Sequence, residues 1–154
     1  MKKKEIFEVL MQSQSDKVDA LSEKLKKTIP FEIIKKPEEG LMMFRMQESI
    51  ENIAFNVGEV LVTQAEVKVE NSLGYAMIMG MNKESALNKA FLMGILAAGL
   101  PESTEIIDLA YVVKEEKVKK MKEEREIINS TRVKFETMGG QDPNVSHNKK
   151  SDEE

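Results

Sequence analysis

Glu59-Val60-Leu61-Val62-Thr63-Gln64-Ala65-Glu66-Val67-Lys68-Val69-Glu70-Asn71-Ser72-Leu73-Gly74-Tyr75-Ala76-Met77-Ile78-Met79-Gly80-Met81 is the stretch that decides the fold. Its odd positions, Leu61, Thr63, Ala65, Val67 and Val69, alternate with Gln64, Glu66, Lys68 and Glu70. A period of two puts one dry and one wet face on a strand. Asn71-Ser72 reads as a two-residue turn, because Asn tolerates positive φ. The return strand, Leu73 to Met81, is apolar on both faces, which suits a central position or a face that a partner covers.

Upstream, Phe31 to Ile34 and Leu41 to Met46 read as two further strands, separated by Pro37 and Gly40, with a weaker piece at Ile53 to Val57. Glu5 to Met11 forms a short helix with Ile6, Phe7, Val9 and Leu10 as its apolar residues. Ser13 followed by Asp16 resembles a capping box. It opens a helix to about Lys27 with Val18, Leu21 and Leu25 on one side, stopped by Pro30. Downstream, Asn82 can cap a helix that is apolar all round (Leu87, Ala90, Phe91, Leu92, Met93, Leu96) until Gly99 and Pro101 break it. Such a helix is buried by its own domain or by another chain. The last helix, about Glu102 to Ser130, would be roughly 40 Å long, against a radius of gyration of roughly 15 Å for a compact chain of this length. It is well supplied with apolar residues only as far as Val113. Beyond that, Glu115/Lys119 and Glu116/Lys120 support a solvated face. A solvated surface helix is the simpler expectation; an arm that docks on another subunit is the sharper one. The expected fold is α+β: an antiparallel sheet of about four strands, N-terminal helices, a buried helix and a long C-terminal helical arm. Residues 1–138 form the domain, with Thr131 to Met138 extended, and 139–154 a polar disordered tail.

The chain has 154 residues, 23 Lys plus Arg, 27 Asp plus Glu and a net charge of −4. That argues against a dedicated nucleic-acid binder. Without Cys there is no disulfide, thiolate nucleophile or Cys-ligated metal centre. The longest mostly apolar uncharged run, Ala90 to Leu100, is too short to span a membrane. Glu5, Glu8 and Gln12-Ser13-Gln14 interrupt any signal peptide, so a cytoplasmic location is expected.

Neither a phosphate-binding loop nor a dinucleotide fingerprint is present. Gly74 and Gly80 bracket a strand, where they permit close backbone approach or a bulge. His147 is the single histidine and lies in the expected tail. That speaks against a His base or triad. Methionines cluster at Met42, Met43 and Met46 and at Met77, Met79 and Met81. Core filling is the leading reading and a partner-facing sheet surface the other. Arginine is scarce: Arg45, Arg125 and Arg132, beside twenty lysines. Arg132 follows Asn129-Ser130-Thr131 at a helix end, where an interface or anion role competes with plain surface charge. By residue chemistry alone, this is an interaction domain without a self-contained active site.

Three stretches together resemble the PhnG family, a subunit of the bacterial carbon–phosphorus lyase core complex. They are Phe55 to Val67; Leu73-Gly74-Tyr75-Ala76 through Gly80 into the helix with Ala86, Ala90 and Leu96; and Ser130-Thr131-Arg132-Val133-Lys134-Phe135-Glu136-Thr137-Met138. The family pattern often has a basic residue where this chain has Gln64, Arg-Asp at Met81-Asn82, and an acidic residue near Gly94; any contacts those charges make are not carried over. The resemblance implies a hetero-oligomer with PhnI, PhnH and PhnJ, each present twice, assisted by PhnL. In it PhnI replaces the adenine of MgATP with an alkylphosphonate, releasing adenine and giving α-D-ribose 1-methylphosphonate 5-triphosphate. PhnJ, an iron–sulfur radical enzyme, then cleaves the C–P bond. This chain would be a non-catalytic subunit that binds no cofactor or metal by itself, in a complex that uses MgATP. The candidate interface or anion-contacting residues are Arg132, Asn129, Arg45, Tyr75, Met77, Met79 and Phe91. Two rival readings stay open. One is a catalytic subunit with Arg45, Glu59 and Arg132 converging on a pocket. The other is a stand-alone homo-oligomeric domain binding a small anion.

Overall fold

The computed structural model describes residues 2–132. Their elements run α1 (Lys3–Gln12), α2 (Asp16–Lys26), β1 (Glu32–Gln47), β2 (Ala54–Val69), β3 (Ser72–Met79), α3 (Lys83–Ala98) and α4 (Ser103–Ser130). The fold is α+β, built on a three-stranded antiparallel sheet in the order β1-β2-β3. The segments expected as separate strands before and after Pro37 are the two ends of β1, and the Ile53–Val57 piece begins β2. Pro37 is absorbed because β1 lies at an edge and its register slips between Lys35 and Glu38. The extended segment expected at 131–138, the tail at 139–154 and His147 lie outside the described residues, save Thr131 and Arg132.

Alternation along β2 decides which face is dry. Ala65, Val67 and Val69 pair with Ala76, Gly74 and Ser72 of β3 and are fully buried beneath α3. The packing there is close enough to require glycine. A Cβ on Gly74 would lie 2.2 Å from the Ala90 carbonyl oxygen and 2.3 Å from the Gly94 nitrogen; one on Gly94 would lie 2.6 Å from Val69 Cγ2. Gly74 therefore does what the sequence suggested, and the Gly94 position itself has no room for an acidic side chain. Phe91 fills the core, its ring 4.9 Å from that of Phe31.

The connections have local causes. Asn82 caps α3, its Oδ1 accepting the Ser85 N–H at 2.9 Å. Gly99, at φ +70°, ends α3 in the left-handed conformation, its N–H donating to the Ile95 carbonyl. Buried Thr63 fixes the route from β3 into α3: its hydroxyl donates to the Gly80 carbonyl at 2.6 Å and accepts from the Asn82 N–H. Two expectations shift. The β2–β3 turn is Glu70-Asn71, because Val69 pairs with Ser72 and it is Glu70 that has φ +51°. Ser15, not Ser13, caps α2; Ser13 Oγ accepts the Ser15 N–H instead. In α4 the buried residues are Ile106, Ala110 and Val113, so burial ends where the apolar supply thins.

Candidate functional site

Two features of residues 1–120 could meet another molecule. The first is the sheet surface that α3 leaves open. Helix α3 takes the face carrying Ala65, Val67 and Ala76, so the opposite face belongs to Leu73, Tyr75, Met77 and Met79 of β3 and their partners Lys68, Glu66, Gln64 and Val62. Tyr75 donates its hydroxyl to Gln64 Oε1 at 3.4 Å, and Met79 is 78% exposed. Strand β3 lies at an edge, which removes a central position as the cause of its two apolar faces.

This surface continues into a ribbon. Strand β3 stops at the Val62–Met79 pair, while β1 and β2 run on together as far as the Gln47–Ala54 pair. Leu41, Met42, Met43, Phe44, Met46, Ile50, Ile53, Phe55 and Val57 are all exposed there. Core filling is therefore not what the clustered methionines do: Met42, Met43, Met46, Met79 and Met81 are exposed and only Met77 is half-buried. Nothing in single-sequence periodicity separates a strand covered by its own chain from one left open.

The second feature is a cleft of about 600 Å³, lined among others by Phe7, Met11, Ser13, Asp16, Asp19, Met77, Met79 and Lys89. Lys89 is the most buried charged residue of that lining, at 3% exposed. The Lys89 ammonium donates to the Met11 carbonyl at 3.2 Å and the Ser13 carbonyl at 2.6 Å, at the C-terminal end of α1, where free carbonyls need donors. Burial pulls the pKa of Lys89 below the ordinary lysine value, and the Asp19 carboxylate pulls it back up. Asp19 in turn accepts from Asn88 Nδ2 at 2.9 Å, and Asn88 Oδ1 accepts from Lys26. With two donors committed to carbonyls, this lysine fastens α1 to α3. The surrounding Glu8, Asp16 and Asp19 make the cleft a poor anion site. Sequence reading passed over Lys89, Asp19 and Asn88, since their contacts join residues 69 to 78 positions apart.

Tyr75, Met77 and Met79 are brought together on one sheet face. Arg45 lies on the ribbon, its Nε donating to Asn56 Oδ1 at 3.2 Å. Phe91, expected at an interface, is fully buried in this chain's own core, as are Leu92 and Ile95. This corrects the expectation, because the apolar girth of α3 is taken up by β2, β3 and α2. Asn129 and Arg132 are exposed at the end of α4, the Arg132 N–H donating to the Asn129 carbonyl at 3.3 Å. Arg45 and Glu59 are not among the residues that line the cleft. Among the described residues, no cluster of three or more acidic or histidine side chains could hold a metal, and no helix is long and apolar enough to cross a membrane.

A family model described as "Phosphonate metabolism protein PhnG" matches residues 1–140. The chain belongs to the PhnG family. No curated protein gives a significant match to it. Membership of PhnG places the chain in phosphonate metabolism. The open sheet face and ribbon fall wholly inside the matched region, as does the cleft with Lys89.

Proposed function

We propose that this chain is a non-catalytic subunit of a carbon–phosphorus lyase core complex, with PhnI-, PhnH- and PhnJ-type subunits, assisted by a PhnL-type protein. In that role it supports the PhnI-type displacement of adenine from MgATP by an alkylphosphonate, giving a ribose 1-phosphonate 5-triphosphate. The chain binds no cofactor alone; MgATP is used by the assembly. The setting is the cytoplasm.

The observation that carries the reading is a member of the PhnG family whose hairpin exposes nine large apolar side chains between Leu41 and Val57. Obligate interfaces resemble a domain core cut in half. The ribbon and the outer face of β3 have that character. The stand-alone anion-binding alternative gains nothing from the acidic cleft.

Co-expression of this chain with the PhnI-, PhnH- and PhnJ-type subunits of its own genome, followed by an assay of adenine release from MgATP and methylphosphonate, tests the reading. The expected result is one co-eluting assembly and loss of adenine release when this chain is omitted. A chain that elutes alone, with release unchanged in its absence, overturns it.

A further inference from the structure

The ribbon differs from the base of the hairpin in exposing large apolar side chains on both faces. Residues paired across antiparallel strands share a face. Met42, Phe44 and Met46 lie on one face, opposite Val60, Gly58 and Phe55. Leu41 and Met43 lie on the other, opposite Leu61 and Glu59, and the Arg45–Asn56 and Gln47–Ala54 pairs follow them on that face towards the turn. Beyond the end of β3, neither edge of the ribbon has a neighbouring strand among the described residues. Nine large apolar side chains between Leu41 and Val57 are exposed, most of them by about half. At roughly 200 Å² per side chain, that is on the order of 900 Å² of open apolar surface. The largest such patch on an ordinary monomer is roughly 300–600 Å², and one side of a stable interface buries about 800 Å². The area suits a complete interface.

The two-faced character then selects the occupant. A second copy laid on the face of Met42, Phe44 and Met46 would leave Leu41 and Met43 on the other face in water. Both faces are covered only by a partner that surrounds the ribbon. Charge gives the direction of entry: the turn carries Glu48 and Glu51, both exposed, and Arg45 is held to Asn56. We propose that residues 41–57 insert, turn first, into an apolar cleft of a larger, different subunit whose inner end is basic where it meets Glu48 and Glu51. This rests on the accessory-subunit reading and assigns its docking to one segment. Methionines suit the task because their unbranched side chains adapt to the walls of a cleft.

The test introduces charge on one face at a time: Met42→Asp with Phe44→Asp for the first, Leu41→Asp with Met43→Asp for the second, and Glu48→Lys with Glu51→Lys at the turn. Each is co-expressed with the PhnI-, PhnH- and PhnJ-type subunits, and each is examined alone by circular dichroism and sedimentation. Unchanged circular dichroism of the variants alone establishes that a loss is not misfolding; for a variant that fails this check, Phe44→Ser or Met43→Ser serves instead. The expected result is a loss of co-elution of about tenfold or more from either face pair, with a smaller, salt-dependent loss from the turn pair. If only one face matters, or if the wild-type chain alone sediments as a dimer that the same substitutions dissociate, the enclosed insertion is overturned in favour of a second copy or a one-sided contact. If all variants co-elute like wild type, the ribbon is not the docking segment and the accessory reading survives. A wild-type chain that itself fails to co-elute removes the accessory reading.

Discussion

The base and the tip of one hairpin obey different rules. At the base, Ala65, Val67 and Val69 alternate with Gln64, Glu66 and Lys68, and α3 seals the apolar side. At the tip, Leu41, Met42, Met43 and Phe44 are consecutive, apolar and exposed, and nothing among the described residues covers them. Alternation marks a strand whose own chain supplies one cover. Continuous apolarity on a ribbon without covering helices leaves large apolar side chains open on both faces. The same residue type should therefore carry very different weight in the two places. Phe91→Ala, in the base core, should cost about 3–5 kcal/mol and bring the chain close to unfolding. Phe44→Ala, at the 50% exposed tip, should change stability by no more than about 0.5 kcal/mol. Urea titrations of both variants check the contrast; similar midpoints would mean that the tip is covered within the chain.

A sharper probe of the base is Gly74→Ala. The added methyl would collide with the backbone of Ala90 and Gly94, which cannot swing aside as a side chain can. Helix α3 must lift from β3, at a cost of about 1–3 kcal/mol or more. By contrast, a Cβ added at Gly58 or Gly40, on the hairpin, meets nothing within 4 Å. Thermal melts of Gly74→Ala and Gly58→Ala should separate by several degrees, with the first lower. Equal melts would deny the close approach.

How much of this was legible follows the same division. The dry face of β2, the cap at Asn82, the stop at Gly99 and the end of burial at Val113 were all readable, because each is a local pattern of a few neighbouring residues. The open ribbon was not. Met42, Met43 and Met46 have the composition of a core, and only their exposure in the fold shows that they are surface. Phe91 failed in the opposite direction, since a helix that is apolar all round does not say whose atoms surround it. Lys89 was silent because its partners, Met11 and Ser13, lie in another helix and the loop after it.

Lys89 yields a prediction in pH. Its folded-state pKa is lowered by burial, so the unfolded chain binds this proton more tightly. Stability from this group therefore rises as pH climbs from the lowered value towards the ordinary lysine value of 10.5, and falls as pH drops through that window. Lys89→Met removes the dependence and leaves the Met11 and Ser13 carbonyls without their donor, at a cost of about 1–2 kcal/mol. The gap between wild type and variant should widen from neutral pH to about pH 10. A gap that narrows would mean that the ammonium form is favoured in the folded chain.

The smallest expected effect lies at the β2–β3 turn, where base and tip strategies do not bear and only backbone geometry counts. Glu70 holds φ +51°, which costs an L-residue roughly 1 kcal/mol, while Asn71 has no positive φ. Glu70→Gly relieves that strain but adds about 0.5–1 kcal/mol of chain entropy to the unfolded state. The balance should be neutral to slightly stabilising, by no more than about 0.5 kcal/mol. Asn71→Gly relieves nothing and adds the same entropy, so it should destabilise by roughly 0.5–1 kcal/mol. The order of the two melts, Glu70→Gly above Asn71→Gly, is the decisive reading. Were the order reversed, the positive φ would belong to Asn71, the hairpin would have slipped by one residue, and every side chain of β3 would face the opposite side of the sheet.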